Sequence, residues 1–520
     1  MPEQEIVVVG AGIGGLSTAL ELAALGYGVT VVEKAHAVGG KMRTVEVDGR
    51  AIDSGPTVLT MREVFDGLFE RAGVRFDQMV QLRPLRVLAR HGWSDQTRLD
   101  LFADPERSAE AIGEVFGKRD ADGYRRFCAH TAKIHDAVRG PFMEGSVPGL
   151  LAMARQLSFS QMRKMAAVDW HRSMWKSLRK FFRSPKLHQL FGRYATYYGS
   201  SPFEAPATLN VIAHVEKQGV WAIDGGMIQL ARAMASRLQE LGGQIRLGTT
   251  VSEVLVQDDH AAGVRLADGQ TLSARAVVLN TTPEAVVAGL LGQAPREAVQ
   301  PSPSPHSLSA ITWSMVGQVR DFPLAYHNVL FSDDYPAEFD QLRAGRVPEQ
   351  PTVYLCAQDR DPGSTTASLD PAPQRLFCLV NAPARGDDES FDPEIDRCKE
   401  RCFEQMSRCG LTVEATPSRT ICTTPRDFAQ MFPGSGGALY GPATNNFMAT
   451  FSRPGARTKL KALYLVGGGA HPGAGIPMVT LGGRLAARSA HADLTSTPSS
   501  HRVATFGGMS TASATTAVTP

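Results

Sequence analysis

The sequence predicts an α/β protein, and three features of the 520-residue chain carry that prediction. Short apolar runs rich in β-branched residues recur along the chain, and each has the length of a strand buried on both faces. Glycine-rich turns follow such runs near both ends of the sequence, and helical stretches rich in Ala and Leu come next. Strands that alternate with helices favour a parallel sheet. The hydrophobic share of 43% and the charged share of 20% are ordinary for a globular protein with two lobes.

The first strand–turn–helix unit opens the chain. Ile6 to Val9 is a continuous apolar run, and the glycine turn 10–15 follows it directly. Leu16 to Leu25 has the composition of a helix, and Val29 to Val32 is a second apolar run that ends at the acidic residue Glu33. A strand, a glycine-rich turn, a helix, a strand and an acid, in this order, are typical of a nucleotide-binding βαβ unit.

Each residue type in this unit has a chemical reason. Gly10 permits the tight turn, Gly12 lets the main chain approach a pyrophosphate, and Gly15 lets the helix pack closely on the strand. The N-terminus of the helix offers N–H groups to phosphate, and Glu33 is placed to accept hydrogen bonds from ribose hydroxyls. A glycine-rich turn without a ligand is the alternative. The predicted nucleotide-binding residues here are Gly10, Gly12, Ile13, Gly14, Gly15, Glu33 and Lys34.

A second pair of glycines follows this unit. Gly39 and Gly40 allow the main chain to approach a ligand closely, and Lys41 and Arg43 supply cationic donors for phosphate. The alternative is a solvated loop with two ordinary surface cations. The pattern favours a second contact with the same phosphate-containing ligand.

Two distant parts of the chain carry similar patterns. Ile228 to Leu241 has the pattern of a helix, and 276–279 is another buried-strand run. Near the C-terminus, the apolar run 463–466 leads into the glycine-rich stretch 467–475, and Val479 to Ala490 reads as a helix. One elongated cofactor held by both ends of the chain would explain why these glycine-rich loops lie so far apart.

Together, these motifs resemble the bacterial carotenoid desaturases, within the superfamily of flavin-containing amine oxidases and carotenoid desaturases. The resemblance covers residues 4 to about 492, and its most specific phrase is His471-Pro472-Gly473-Ala474-Gly475-Ile476-Pro477. A finer resemblance to hydroxycarotenoid 3,4-desaturases, also called methoxyneurosporene dehydrogenases, rests on four stretches, which are 55–60, 99–105, 432–437 and 467–470.

The resemblance implies a Rossmann-type FAD-binding domain with an interleaved α+β substrate domain. The FAD-binding domain would be discontinuous and would comprise residues 1–75, 215–300 and 440–495. The substrate domain, which would also face a membrane, would comprise residues 76–214 and 301–439.

The resemblance also implies further contacts with FAD. In relatives, the segment at Gly40 lies along the pyrophosphate and ribityl chain, the loop at Gly55 lies near the flavin ring, and the segment at Val251 contacts adenine. Many members of the superfamily place an acid after the C-terminal glycines. This sequence has Ala470 and His471 there, so contacts would rely on the main chain or on His471. The residues added in this way are Gly40, Lys41, Arg43, Gly55, Pro56, Val251, Gly468, Gly469, Ile476 and Met478.

The activity that the resemblance implies is the formation of the C-3,4 double bond in 1-hydroxylated acyclic carotenoids, such as 1-hydroxyneurosporene or 1-hydroxylycopene. The C–H bonds involved are not acidic, so hydride transfer to the flavin, followed by proton loss from the neighbouring carbon, is the favoured course. A terminal electron acceptor, such as a quinone or oxygen, is then required. The alternatives are a multistep phytoene desaturase, an amine oxidase and a non-catalytic carrier of prenyl lipids.

The sequence assigns no catalytic residue. His91, His214 and His327 are expected to be structural, and among the histidines weighed for a role only His471 adjoins a flavin motif. Two arginines of the predicted substrate domain, Arg155 and Arg193, suit a surface or membrane role as well as a role towards the substrate.

A carotenoid substrate is insoluble in water, so we expect the protein to meet it at a membrane surface. Residues 151–200 contain ten Lys or Arg residues and one acid, Asp169, with aromatic residues interleaved. Cations and apolar residues alternate around Arg172 to Arg183, which predicts an amphipathic helix on an anionic leaflet. The alternatives are a solvated basic helix with one core face, a protein interface and a nucleic-acid site. The expected location is cytoplasmic, peripheral on the inner or photosynthetic membrane.

The composition also argues against several classes of protein. The formal net charge of +2 gives no support for nucleic-acid binding. Seven cysteines in 520 residues do not form a disulfide framework, and their spacing does not favour a metal site. We find no signal peptide and no apolar run of about 18 residues, as a membrane span would require. Residues 496–520 are rich in Ser, Thr and Ala, and we expect a disordered tail.

Overall fold

The computed structural model describes residues 6–145, 169, 171–366 and 369–496. Its strands are β1 (Ile6–Val9), β2 (Val29–Val32), β3 (Thr44–Val47), β4 (Arg50–Asp53), β5 (Leu82–Pro84), β6 (Val87–Gly92), β7 (Arg98–Phe102), β8 (Trp221–Ile223), β9 (Gln244–Arg246), β10 (Val251–Gln257), β11 (His260–Leu266), β12 (Thr271–Ser273), β13 (Ala276–Leu279), β14 (Ser309–Arg320), β15 (His327–Leu330), β16 (Val353–Ala357), β17 (Gln374–Ala382), β18 (Thr412–Glu414), β19 (Thr420–Thr423) and β20 (Leu463–Leu465).

The α-helices are α1 (Ile13–Ala24), α2 (Arg62–Arg71), α3 (Phe76–Met79), α4 (Pro105–Phe116), α5 (Lys118–Val138), α6 (Met174–Leu178), α7 (Pro185–Gly192), α8 (Val211–Lys217), α9 (Ile228–Glu240), α10 (Pro283–Val287), α11 (Gln293–Ala298), α12 (Tyr335–Arg343), α13 (Asp392–Arg408), α14 (Pro425–Met431) and α15 (Ile476–Ser496). Short 3₁₀ helices cover Arg193–Tyr198, Ala207–Asn210, Glu389–Phe391, Pro417–Arg419 and Met448–Phe451, and a π-helical turn covers Arg139–Met143.

A five-stranded parallel sheet in the order β20-β13-β1-β2-β9 forms the first layer. Ile6 and Val8 of β1 pack in the apolar cluster that includes residues of α1, α9 and α15. Val7 belongs instead to the cluster of the antiparallel sheet β10-β11-β12. Because both faces of β1 are covered, its residues must be continuously apolar, as the sequence pattern predicts.

The second large sheet is mostly antiparallel. It has the order β18-β14-β17-β16-β15-β6-β7, and β19 also pairs with β14. One internal pair, β15 with β6, is parallel. All strands of the parallel sheet lie within 1–75, 215–300 and 440–495, and all strands of this second sheet lie within 76–214 and 301–439. The boundaries of the two domains stay a prediction.

Helix α15 returns the C-terminal part of the chain to the first glycine turn. A Cβ atom on Gly483 of α15 would lie 2.7 Å from the carbonyl oxygen of Gly14, so the two helices touch through their main chains. The hydroxyl of Thr18 donates to the carbonyl oxygen of Gly483 over 3.1 Å. This close packing holds the loop before α15 next to the loop before α1.

The elements differ in extent from several sequence predictions. Helix α1 begins at Ile13 rather than at Leu16, because Gly12 is its N-cap and the glycines that follow are helical. Helix α15 runs from Ile476 to Ser496, so it is longer at both ends than the predicted Val479 to Ala490.

The prediction of one amphipathic helix around Arg172 to Arg183 is wrong. Helix α6 ends at Leu178, and α7 starts at Pro185 after a turn. The cations around this turn are exposed, but most aromatic residues here pack into the core of the substrate domain. Those in that core cluster are Trp175, Phe181, Phe182, Phe191, Tyr194, Tyr197 and Tyr198. Residues 151–168 and 170, which include Arg155, Phe159 and Trp170, lie outside the described residues, as does the predicted tail from 497 onward.

Candidate functional site

One cavity of about 1220 Å³ is lined by residues of both large sheets and both glycine-rich loops. Of the residues predicted to bind the cofactor, most line this cavity, namely Gly10, Gly12, Ile13, Gly14, Glu33, Lys34, Gly40, Lys41, Arg43, Gly55, Pro56, Val251, Gly468, Gly469 and Ile476. Gly15 and Met478 do not line it. A Cβ atom on Gly15 would lie 2.0 Å from the carbonyl oxygen of Gly10, and Met478 is buried in a cluster with Met61.

The side chain of Asn280 lies between the two glycine-rich loops. It follows β13 and donates from Nδ2 to the carbonyl oxygen of Gly10 over 3.2 Å. A Cβ atom on Gly12 would meet Nδ2 of Asn280 at 2.8 Å, and one on Gly467 would meet its Oδ1 at 3.3 Å. Asn280 was not predicted from the sequence, although an amide side chain directly after a buried strand could have indicated a role at this site.

Glu33, at the end of β2, is bound to the main chain on both sides. Its Oε2 accepts a hydrogen bond of 2.7 Å from the N–H of Ala11, and its Oε1 accepts one of 2.8 Å from the N–H of Ala35. Each carboxylate oxygen has two lone pairs, so each can accept one more hydrogen bond. The geometry therefore orients Glu33 for two neighbouring hydroxyl groups, as a ribose offers.

The second pair of glycines touches the first turn. The N–H of Gly39 donates to the carbonyl oxygen of Ala11 over 2.9 Å. Gly40 has φ +60°, and a Cβ atom there would lie 3.1 Å from Cα of Gly12. A left-handed conformation and this close approach both favour glycine at position 40.

Lys41 and Arg43 line the cavity, but each also donates to the protein. Nζ of Lys41 donates to the carbonyl oxygen of Leu439 over 2.6 Å, and Nη2 of Arg43 donates to the hydroxyl of Thr423 over 2.7 Å. Burial lowers the pKa of Lys41 to about 8, with Glu284 opposing this shift and Arg453 adding to it. Their predicted role as donors to phosphate stays a prediction.

The loop after β4 is fixed to the second large sheet. The hydroxyl of Ser54 lies 2.9 Å from that of Ser314 on β14, and the hydroxyl of Thr57 lies 2.5 Å from that of Tyr354 on β16. Tyr354 also contacts Nδ1 of His327 at 2.7 Å. Gly55 and Pro56, predicted to lie near a flavin ring, are thus held between two such contacts.

Arg453 is buried beneath the C-terminal glycine loop. Its Nη1 donates to the carbonyl oxygens of Gly468 and Tyr440, over 2.5 and 3.0 Å, and its Nη2 donates to that of Pro442 over 2.8 Å. An acid does lie beside these glycines, since Oε2 of Glu284 is 3.8 Å from the position of a Cβ atom on Gly469. Neither residue was predicted from the sequence, because Glu284 comes from a distant segment and Arg453, which lies 15 residues before Gly468, belongs to no motif.

The side chain of His471 does not line the cavity. Its Nε2 lies 3.0 Å from the carbonyl oxygen of Gly145, and its ring packs edge-on against Phe142 at 5.1 Å between centroids. Burial lowers the pKa of His471, so it is a neutral packing residue at neutral pH. The geometry therefore does not favour a contact between the His471 side chain and the cofactor.

A polar cluster of four side chains lies at a different part of the cavity, and three of them, Arg193, Tyr197 and Glu216, line it. The hydroxyls of Tyr194 and Tyr197 donate to the two carboxylate oxygens of Glu216 over 2.6 and 2.8 Å. Nη2 of Arg193 donates to the hydroxyl of Tyr197 over 3.2 Å. Within the described part of the chain, the buried Nε of Arg193 has no hydrogen-bond partner.

The charges of this cluster affect its surroundings. Burial opposes the charge of Arg193, but Tyr197 and Glu216 hold its pKa above the ordinary value. Burial raises the pKa of Glu216, and Arg193 opposes that shift. Burial and, secondarily, the charge of Arg193 lower the pKa of His327 to about 3, so His327 is neutral.

Much of the remaining wall of the cavity is apolar. Its apolar lining side chains include Ile212, Val215, Phe377, Leu379, Phe428, Met431, Phe432 and Leu439. An apolar wall with one buried polar cluster suits a long hydrocarbon ligand that carries a polar group. In the described residues, no group of His, Cys, Asp or Glu is arranged to hold a metal ion.

The residues at the parallel sheet fit an FAD molecule. Along one side of the cavity, glycines occupy positions where a Cβ atom would clash with neighbouring atoms. The N-terminus of α1 offers N–H groups there, and the carboxylate of Glu33 is oriented for ribose. Val251 lines the cavity at the start of β10, the next strand after β9, and its contact with adenine stays a prediction. The individual cofactor contacts stay predictions, and the arrangement as a whole is that of a dinucleotide site.

Comparisons with known proteins agree with this geometry. The family model described as flavin containing amine oxidoreductase matches residues 13–491. Hydroxyneurosporene desaturases of Rubrivivax gelatinosus and Cereibacter sphaeroides are 47% and 43% identical to this chain; the matches cover 98% and 95% of this chain, and 98% of each relative. A 1-hydroxycarotenoid 3,4-desaturase of a Flavobacterium species is 28% identical, over 93% of this chain and 98% of that protein.

The fold also resembles solved structures. An oxidoreductase from Methanosarcina mazei superposes with a TM-score of 0.56 at 16% identity, and the match covers 92% of this chain and 99% of that chain. Identity this low supports the fold alone. It confirms the predicted fold class, a Rossmann-type domain with an interleaved α+β domain.

Proposed function

This chain belongs to the flavin containing amine oxidoreductase family and is an FAD-dependent oxidoreductase of the carotenoid desaturase type, and we propose that it forms the C-3,4 double bond of 1-hydroxylated acyclic carotenoids. The observation that carries the proposal is the single cavity, in which a dinucleotide site continues into an apolar chamber with one polar cluster. The names of the relatives support the substrate class, since they are hydroxyneurosporene and hydroxycarotenoid desaturases.

In this proposal the parallel-sheet side of the cavity holds FAD. Glu33 would accept from the ribose, the main chain at Gly12 and the first turn of α1 would hold the pyrophosphate, and the loop at Gly55 would lie near the flavin ring. Bound FAD supplies the acceptor for the hydride that leaves the substrate.

The protein's own contribution is to position the polyene and to exclude water. Apolar side chains such as Phe377 and Leu379 of β17 would pack along the hydrocarbon and keep the reacting carbons dry. The contacts of Thr57 with Tyr354 and of Ser54 with Ser314 would hold the loop after β4, which is predicted to lie near the flavin, at a fixed position relative to the substrate chamber. Such rigidity favours a reaction that depends on the approach of one carbon to one flavin atom.

We further propose that the protein works at a membrane surface and passes electrons to a quinone or to oxygen. The exposed cations Arg172, Lys176, Arg179 and Arg183 surround α6 and the turn after it, next to the undescribed segment 146–168. They would attract an anionic leaflet. Among the described helices, none is long and apolar enough to cross a membrane.

The test is product analysis with purified, FAD-loaded protein. 1-Hydroxyneurosporene, neurosporene and phytoene are supplied separately in liposomes, with a quinone or oxygen as the acceptor. We expect 1-hydroxyneurosporene to lose two hydrogens at C-3 and C-4, and phytoene to be recovered unchanged. Conversion of phytoene alone would replace the proposal with a multistep phytoene desaturase. Binding of all three without conversion under any acceptor would point to a lipid carrier.

A further inference from the structure

The guanidinium of Arg193 is the clearest unexplained group in the cavity, because it is a cation in a largely apolar wall. Its Nη2 donates to Tyr197 and its Nε is shielded by the protein, whereas its Nη1 is not shielded in this way and has no hydrogen-bond partner among the described residues. A cationic donor at the wall of an apolar chamber suits a ligand atom that can accept a hydrogen bond from it.

Tyr197, itself held by Glu216, fixes the guanidinium in place. Nη2 of Arg193 donates to Tyr197, and Tyr197 in turn donates to Glu216. The Arg193 guanidinium also lies 5.2 Å from the ring centroid of Tyr197. Glu216 is itself buried, with 7% of its surface exposed, and each of its oxygens accepts from a tyrosine. The cluster thus leaves the Nη1 donor of Arg193 available to a ligand.

The charge balance of the cluster indicates a neutral ligand atom. Glu216 lies close enough to Arg193 to raise its pKa, and the two opposite charges offset each other. A ligand carboxylate would bring a second negative charge into an apolar chamber, where it is costly. A hydroxyl oxygen can accept from Nη1 without adding charge.

We propose that Arg193, held by Tyr197 and Glu216, binds the C-1 hydroxyl of the carotenoid and so sets which carbons face the flavin. The inference rests on the proposed function, because that function supplies the hydroxylated substrate. C-3 is only two bonds from C-1, so a group that anchors the hydroxyl must lie close to the reacting carbons. The cluster meets this requirement, since Tyr354, which contacts Thr57 beside the predicted flavin loop, packs on the same apolar cluster as Tyr197 and lines the same cavity.

Arg193 is therefore a specificity-determining and positioning residue. A hydrocarbon chamber alone discriminates poorly between a carotenoid and its hydroxylated form. A cationic donor that only the hydroxylated form satisfies discriminates strongly, because the unhydroxylated form displaces water from that donor without replacing its hydrogen bond.

The experiment compares binding of 1-hydroxyneurosporene and neurosporene to the FAD-loaded protein in detergent micelles. Quenching of the bound flavin's fluorescence reports Kd without requiring turnover. We expect the wild type to bind the hydroxylated form about 10- to 100-fold more tightly, as a hydrogen bond to a charged donor would give. Arg193→Met should remove this preference mainly by weakening the hydroxylated ligand, and Arg193→Lys should restore part of it.

Two more variants keep the test decisive. Tyr197→Phe retains the ring and removes only the hydroxyl that fixes Arg193, so we expect the preference to fall by roughly 3- to 10-fold even if Arg193→Met does not fold. Arg343→Met, an exposed change on the helix that carries Tyr335, should leave the preference at the wild-type value.

The outcomes separate this inference from the proposed function. A wild-type preference that Arg193→Met abolishes supports the inference, even if no double bond forms and the proposed function fails. Equal weakening of both ligands, with the preference kept, would overturn the inference and give Arg193 a structural role only. A wild type with no preference, which still desaturates 1-hydroxyneurosporene, would overturn the inference and leave the proposed function standing.

Discussion

The Asn280 side-chain amide donates a hydrogen bond of 3.2 Å to the carbonyl oxygen of Gly10. Asn280 also fills the space in which Cβ atoms on Gly12 and Gly467 would lie. The side-chain amide of Asn280 therefore packs against the glycine-rich loops from both ends of the chain. Glycine at position 12 then serves two purposes, which are packing against Asn280 and close approach to the pyrophosphate.

These two purposes can be separated by mutation. Gly12→Ala should lower both the melting temperature and the FAD content, because its Cβ atom would meet Asn280 at 2.8 Å and intrude on the ligand. Adding Asn280→Ala should restore much of the melting temperature without restoring FAD. Gly140→Ala, a glycine with open space around its Cβ position, is the matched control. Recovery of full flavin absorbance in the double variant would show that the pyrophosphate does not lie against Gly12.

Arg453 should be required for the C-terminal glycine loop. Arg453→Met would leave three buried carbonyl oxygens without their donor, and we expect a loss of about 3 kcal/mol or more in the free energy of unfolding. FAD content should fall as well, since the carbonyl oxygen of Gly468 would lose its hydrogen-bond donor. Arg457→Met, which removes an exposed ion pair with Asp493, should change stability by less than about 1 kcal/mol. Chemical denaturation and flavin absorbance measure both effects, and equal losses in the two variants would contradict this role.

Lys41 should give the FAD-free protein a characteristic pH dependence. Burial lowers its pKa from 10.5 to about 8 in the folded chain. Between these values the unfolded chain binds more protons, so the free energy of unfolding rises with pH from about 8 to 10.5, by on the order of 1–3 kcal/mol. As the pH falls from 10.5, this stability is lost progressively, and the loss is complete at about pH 8.

The test of Lys41 is a comparison of urea denaturation at several pH values. Lys41→Met should remove this part of the slope, whereas Lys118→Met, at an exposed position where α5 begins, should keep it. The same slope in the wild type and in Lys41→Met would show that Lys41 is not buried in this way.

The basic surface around α6 should govern binding to anionic membranes. Replacing Lys176, Arg179 and Arg183 with Glu should weaken binding to anionic liposomes by about tenfold or more at low salt, and by less at high salt. Lys180 is left unchanged because it pairs with Asp169. A control that replaces the exposed Arg296, Lys459 and Lys461 with Glu makes the same change of net charge at α11 and in the loop before β20. Equal weakening by both triple variants would show that net charge alone matters.

The sequence predicted the nucleotide side of the molecule well, because its signals are local. A buried strand, a glycine turn and an acid stand within the first 33 residues, and β13, β20 and α15 follow the same rules of periodicity. The comparisons confirm the family, FAD and the class of enzyme. Asn280 and Glu284 were missed because each lies beside a loop that is distant in sequence. Arg453, which lies 15 residues before Gly468, was missed because it belongs to no motif.

The substrate side could not be predicted in the same way. Arg193, Glu216 and Tyr354 come from separate segments, and only the folded chain brings them to one cavity. The aromatic residues near α6 were misleading, since aromatic residues among cations are typical of a membrane-facing helix. Here Phe182 and Phe191 stack on each other at 4.8 Å and belong to the core. Burial, which the pattern did not specify, decides between the two interpretations.

The central claim is that this protein oxidises a hydroxylated carotenoid with its own FAD, and one measurement tests it most directly. FAD-loaded protein is mixed without oxygen, in a single turnover, with 1-hydroxyneurosporene, and the flavin absorbance and the carotenoid product are followed together. We predict bleaching of the flavin together with a product that has two fewer hydrogens and a new double bond at C-3,4, in one-to-one ratio. A flavin that stays oxidised with 1-hydroxyneurosporene but is bleached by phytoene would contradict the account.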